Sequence, residues 1–196
     1  MSKTSDIELT CSRCGHSFTA SCIDMVNAGD EPELKEKILD GSIFVSECPS
    51  CGAKFIVSRP FVYIDPEQKL LVILSSEDLK GQDLQGLTGR RVESVGDLIE
   101  KIKIFDAGLD DIVIELCKFI TAQDMGKDLP FKFFRLEGAD NEITFAYPEN
   151  GQMQMAGVGF KVYEDCRGIV NRNPVLREES AKLLKVDADW LAGYLK

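Results

Sequence analysis

Two segments of the chain nearly repeat each other: Cys11-Ser-Arg-Cys14-Gly15-His16-Ser-Phe18 and Cys48-Pro49-Ser-Cys51-Gly52-Ala-Lys-Phe55. Both read C-x-x-C-G-x-x-F, and every matched position is offset by 37 residues. In such a knuckle the first cysteine precedes a tight turn and the second follows it. That sets two sulfurs about 3.5 to 4 Å apart, the edge of a tetrahedron with zinc–sulfur bonds of about 2.3 Å. Gly15 and Gly52 follow the second cysteine, where a backbone turning past a metal calls for positive φ. Phe18 and Phe55 come three residues later and would pack beneath the site. Two pairs supply four thiolates, the ligand number of a closed structural zinc site, so Cys11, Cys14, Cys48 and Cys51 are the candidate metal ligands.

The competing reading is a pair of redox or disulfide motifs. The chain has seven cysteines, an odd count, and its first residues lack the apolar stretch of a secretory leader. A redox C-x-x-C stands alone at a helix start in a βαβ context, which is absent here. Zinc is therefore the expected cofactor, in a structural role, because four cysteines leave no open position for chemistry. Whether His16, the only histidine, or Cys22 touches the metal is left open. His16 is expected as a loop residue beside the site, and Cys22 as a small apolar residue within a strand. Cys117 falls on the apolar face of a helix, while Cys166 lies in a polar stretch where a reactive thiol is conceivable, though nothing nearby marks a base.

Composition narrows the function classes. The longest apolar run, Leu70 to Leu74, and others such as Ile112 to Ile114 fall far short of the roughly 20 residues that span a bilayer. A cytoplasmic protein is expected. The net charge is −10, which weighs against nucleic acid, since that binding depends on clustered Lys and Arg that neutralise phosphates. Arg167, Arg172 and Arg177, with Arg90 and Arg91 second, are the best candidates for a basic patch, but they are expected as ordinary solvated surface. Phe131 and Phe133 share one strand face, as a sheet core requires. No Ser-His-Asp arrangement, G-x-G-x-x-G or P-loop pattern is present, so no catalytic residue is assigned.

Periodicity places the elements. A helix opens near Asp30, with Glu33 at the capping-box position and Pro32 in the first turn, carries Leu34, Ile38 and Leu39, and ends at Gly41. It occupies the stretch between the knuckles. Residues 61–64 and 70–74 read as a hairpin turning at Asp65-Pro66. The polar, glycine-bearing residues 76–87 read as a linker. Ser94, with Asp97, caps a further helix that ends at Gly108; a second starts near Asp110, giving a helical hairpin. Strand signals follow at 131–136, 142–147 and 152–156, suggesting an antiparallel meander. From Pro174 onward the chain reads as helical, anchored by Leu183, Leu184, Trp190, Leu191 and Tyr194.

The N-terminal residues resemble the CpXC domain of bacteria and archaea. The resemblance is carried by Cys11-x-x-Cys14-Gly15-His16-x-Phe18, by residues 31–42 beginning Glu31-Pro32-Glu33-Leu34-Lys35, by Cys48-Pro49-x-Cys51-Gly52, and by Tyr63-x-Asp65-Pro66. It covers residues 7–75 closely, and Glu100-Lys101-Ile102 in the following helices also look similar. Ser12 stands where the family often has Pro, which there only pre-sets the turn. The resemblance implies a zinc-ribbon-like module and no particular activity.

The expected fold class is α+β: a zinc-ribbon-like domain with an inserted helix at 1–75, a linker at 76–87, and an α+β domain at 88–196. The leading expectation for function is a non-enzymatic protein-interaction or scaffold module whose partner is another protein, and chelation is expected to melt residues 7–75. The alternatives are a nucleic-acid or transcription-associated zinc ribbon, and an enzyme with its pocket in the C-terminal domain.

Overall fold

In the computed structural model, residues 2–77, 79, 84–138, 141–180 and 182–195 are described. The chain is mixed α+β and divides into two compact units, Met1–Ile99 and Glu100–Lys196.

The first unit is built on a five-stranded sheet in the order β1-β2-β5-β6-β7. Strands β1 (Lys3–Thr10) and β2 (Ser17–Asn27) form a long antiparallel hairpin whose loop is the first knuckle. Helix α1 (Pro32–Leu39) buries Leu34 and Ile38. A single 3-10 turn, Ser42–Phe44, then leads into a short hairpin of β3 (Val45–Glu47) and β4 (Lys54–Ile56), whose loop is the second knuckle. Strands β5 (Phe61–Asp65) and β6 (Leu70–Leu74) form the expected hairpin at Asp65-Pro66, burying Phe61, Tyr63, Leu70, Val72 and Leu74. Gly41, at φ +78°, makes the left-handed turn that ends the α1 region.

Two details of this unit differ from the expectation. Asp30 does not cap α1: Glu31 occupies the cap position without a side-chain bond, and Asp30 instead accepts from the Asn27 side chain. Asn27 also accepts from the Gly29 amide, so a local side-chain turn competes for the cap. Strand β7 (Thr88–Val92), placed after the linker by the sequence reading, pairs in parallel with β6 and belongs to the first unit. The division falls after Ile99, inside helix α2 (Val95–Asp106). The linker assigned to 76–87 lies in part outside the described residues.

A buried clasp joins α1 to the β5–β6 hairpin. Lys35 Nζ and the Tyr63 hydroxyl each donate to Asp65 Oδ2 at 3.0 Å, and the Gln68 amide donates to Oδ1 at 3.1 Å. Burial opposes ionisation of Asp65, but these donors outweigh it and hold its carboxyl below the usual range.

The second unit carries the antiparallel meander β8 (Lys132–Glu137), β9 (Glu142–Glu149) and β10 (Gln152–Val158), in the order β10-β9-β8. Helix α3 (Asp111–Met125) is capped by Asp110, whose carboxylate accepts from the Ile112 and Val113 amides. Its first turns are buried nearly all round, and it packs against α4 (Phe160–Asn171) and α6 (Ala188–Ala192). Helix α4 was not foreseen. The C-terminal region is two short helices, α5 (Pro174–Ser180) and α6, and Leu183 and Leu184 lie between them. The break comes at Asp187, which is extended and accepts from the Trp190 amide to start α6 anew.

Candidate metal centre

The two knuckles keep their sequence repeat as a repeat of hydrogen bonds. The Gly15 amide donates to the Cys11 carbonyl at 2.8 Å, and the Cys11 amide to the His16 carbonyl at 2.9 Å. One repeat later, Gly52 donates to Cys48 and Cys48 to Ala53, both at 2.9 Å. Gly15 and Gly52 have φ of +73° and +68°, the left-handed turn that their position requires. The hairpins of β1–β2 and β3–β4 thus present two equivalent turns.

These turns bring Cys11, Cys14, Cys48 and Cys51 together, with all four sulfurs within 4.8 Å of one another. Cys11 and Cys51 Sγ are 3.7 Å apart, as are Cys14 and Cys48 Sγ. A tetrahedron with metal–sulfur bonds of about 2.3 Å has edges of about 3.8 Å. The four cysteines are therefore positioned to hold one metal ion. Cys11 and Cys48 are buried, Cys51 is half-buried and Cys14 is exposed. Cys11 is drawn down to about 7, first by its backbone hydrogen bond from Cys14 and then by those from Arg13 and the neighbouring thiols, against the effect of burial. At Cys51 the Ala53 amide acts downward, but the contact with Cys14, burial and the contacts with Cys11 and Cys48 together push it up to about 12.

Phe18 and Phe55, the last matched pair of the repeat, meet edge-to-face with centroids 6.3 Å apart. His16 is exposed and stacks on Phe18 at 6.3 Å. Neither His16 nor Cys22 belongs to the sulfur group.

The other sequence candidates are placed as follows. Arg90 is buried in β7 and donates to the Gly89 carbonyl; Arg91 reaches Glu93 and the Ser75 carbonyl. They do not form a basic patch. Arg177 pairs with Asp110, and Arg167 lies over the Tyr163 ring. Phe131 and Phe133 are core residues. Cys166 is fully buried against α3, not in a polar surface stretch. Its contact with Cys117, together with burial, pushes the Cys117 thiol upward, so Cys117 stays protonated.

Sequence reasoning missed a buried ion network in the second unit. Lys118 Nζ bridges Glu100 at 2.6 Å and Glu115 at 2.9 Å, and Glu100 also accepts from the Phe133 amide at 2.7 Å. Lys101 pairs with Asp111 at 2.9 Å and donates to the Val186 carbonyl at 2.8 Å. The available signal was Asp111, Glu115 and Lys118 at helical spacing beside apolar positions.

The family model described as CpXC protein matches residues 9–118. That is more than half of the 196 residues. The chain belongs to the CpXC family. The match takes in both knuckles, α1, the clasp and the first turns of α3. Comparison with curated proteins and with solved structures yields no match. Among the described residues, no helix of this CpXC protein is long and apolar enough to cross a membrane.

Proposed function

We propose that Cys11, Cys14, Cys48 and Cys51 hold one Zn²⁺ in a closed structural site, and that this CpXC protein is a cytoplasmic protein-interaction module without catalytic activity of its own. The observation that carries the reading is the meeting of four sulfurs at tetrahedral spacing from two hairpin tips far apart in sequence. An all-sulfur, four-ligand set favours Zn²⁺ over harder cations and leaves no position for substrate. Four thiolates persist best in a reducing compartment, which is the argument for the cytoplasm. The metal's role is to order hairpins too thin to bury a core of their own, and so to present their outer faces to a partner protein.

Thiol counting together with metal analysis tests this. The purified chain should carry one zinc per molecule. In the native protein only Cys22 should react promptly with a thiol reagent, because the clustered four are bound and Cys117 and Cys166 are buried. A strong chelator should release four more reactive thiols. Prompt reaction of the clustered cysteines without chelator, or a purified chain free of metal, would overturn the reading.

A further inference from the structure

The sulfur cluster gathers the tips of the β1–β2 and β3–β4 hairpins, and a cleft opens beside their strands. Its volume is about 360 Å³, at the lower end of the range for ligand sites. Cys22 and Ile23 of β2 line it, as do Val45 and Ser46 of β3, Lys37 of α1, and Arg59.

Three observations on these walls agree. The first concerns the backbone. β2 pairs with β1 along nearly its whole length, but on its other edge it pairs with β5 only through Met25, Val26 and Asn27. Among the described residues, no strand is bonded to that edge over residues 17–24. An edge of this kind offers free N–H and C=O groups to another extended chain. The second concerns charge. The chain as a whole carries −10, yet the described residues lining the cleft include two cations and no carboxylate. The Arg59 guanidinium is ion-paired with Asp24 and donates to Ser5, while Lys37 extends from the exposed face of α1. The third concerns apolar surface. Val45 lines the cleft and is 41% exposed; Ile56, its partner in the β3–β4 pair, lies beside the lining and is 66% exposed.

We propose that this cleft binds an extended segment of a partner protein, added as a strand along residues 17–24 of β2, with an acidic side chain meeting Lys37 and Arg59. A free anion would use the cations but leave the strand edge idle. A neutral peptide would use the edge but leave the two cations unused. An extended acidic segment uses both. The proposal rests on the reading of the chain as a metal-braced interaction module, because the cluster holds the hairpins that form the walls.

The test is selection from a phage-displayed library of random octapeptides on the full, zinc-loaded chain, followed by titration of an enriched synthetic peptide. Enriched sequences should carry Asp or Glu between β-branched or aromatic residues. Affinity should fall at least tenfold for Lys37→Glu, for Val45→Arg, and for the peptide with Gln in place of its acid. N-methylation of alternate peptide amides should abolish binding, and amides in residues 17–24 should gain hydrogen-exchange protection in the complex. Lys37 and Val45 are both exposed, so circular dichroism and zinc content should confirm that the variants remain folded. The proposal is overturned if no sequence is enriched, if enriched peptides bind both variants equally, if binding needs only a free C-terminal carboxylate, or if inorganic phosphate competes as well as the peptide. A zinc-loaded chain that selects no such peptide sinks the cleft alone; a chain without zinc sinks the reading beneath it.

Discussion

Metal removal should open part of the first unit and leave the rest closed. The burial pattern gives the reason. In β5 and β6, alternate side chains are fully buried: Phe61, Tyr63, Leu70, Val72 and Leu74. In β3 and β4 none is; their pattern alternates between half-buried and exposed. Ordering the backbone of residues 45–56 costs on the order of 12 kcal/mol or more, at roughly 1 kcal/mol per residue at least. The half-buried Phe55 returns about 1 kcal/mol. The hairpin's few backbone hydrogen bonds return about 3 to 4 kcal/mol net. The shortfall is within the roughly 10 to 16 kcal/mol that a structural Zn²⁺ supplies at neutral pH.

Hydrogen exchange with and without a strong chelator measures this directly. After chelation the amides of residues 45–56 should exchange as fast as those of an unstructured peptide. Those of β5 and β6 should keep their protection to within about tenfold. The expected loss is thus narrower than all of residues 7–75. Equal loss of protection in 45–56 and 61–74 would refute the argument by showing one cooperative unit. Unchanged protection in 45–56 would refute it by showing that the metal carries no folding energy there.

Other substitutions test the rest of the structure. Asp65→Ala should destabilise the first unit by about 3 kcal/mol, because it removes the buried acceptor that Lys35, the Tyr63 hydroxyl and the Gln68 amide share; urea denaturation checks this, and Asp65→Asn should recover part of the loss. Ile38→Ala should cost about 2 to 4 kcal/mol, since Ile38 is fully buried, while zinc content stays at one per chain. In the second unit, burial raises the Glu100 pKa, but Lys118, then Lys132 and Lys101, outweigh it and hold the carboxyl below its ordinary value. Its stabilising contribution is present above the unfolded-state value of about 4.3 and lost as pH falls through the lower folded value. The denaturation midpoint of the second unit should therefore fall in acid, and Glu100→Gln should flatten that fall at the expense of stability at neutral pH. Lys118→Ala should cost about 3 to 5 kcal/mol at neutral pH by removing the buried cation that Glu100 and Glu115 share.

What could be read from the sequence was what depends on neighbours along the chain. The knuckles, the left-handed glycines after them, the β5–β6 turn, the Asp110 cap and the meander all follow from local spacing and turn chemistry. Helix α4 was also local, with Tyr163, Cys166 and Val170 at helical spacing on its buried face, but Lys161, Glu164, Asp165 and Arg167 around them made the stretch read as polar. The remainder needed the folded chain. Parallel pairing of β7 with β6 leaves no mark in β7 itself, whose central Arg90 and Arg91 read as surface. Lys118 bridges Glu115, one turn away, and Glu100 on another helix, and only the second contact explains why it is buried.

The same distinction divides the family signature. The cysteine half, with its Gly and Phe, acts through the turns of two exposed hairpins. The other half, Lys35 with Tyr63 and Asp65, acts through the buried clasp that joins α1 to the sheet. These halves act on different parts of the unit: the clasp joins α1 to the β5–β6 core, and a metal held by the cluster would secure the hairpins beyond it. Arg59 lies between the β4 hairpin and β5, and its contacts reach β1 and β2 through Ser5 and Asp24. Loss of the clasp should therefore loosen the platform from which the cleft hairpins extend, whereas loss of the metal should dissolve the cleft while the platform stands.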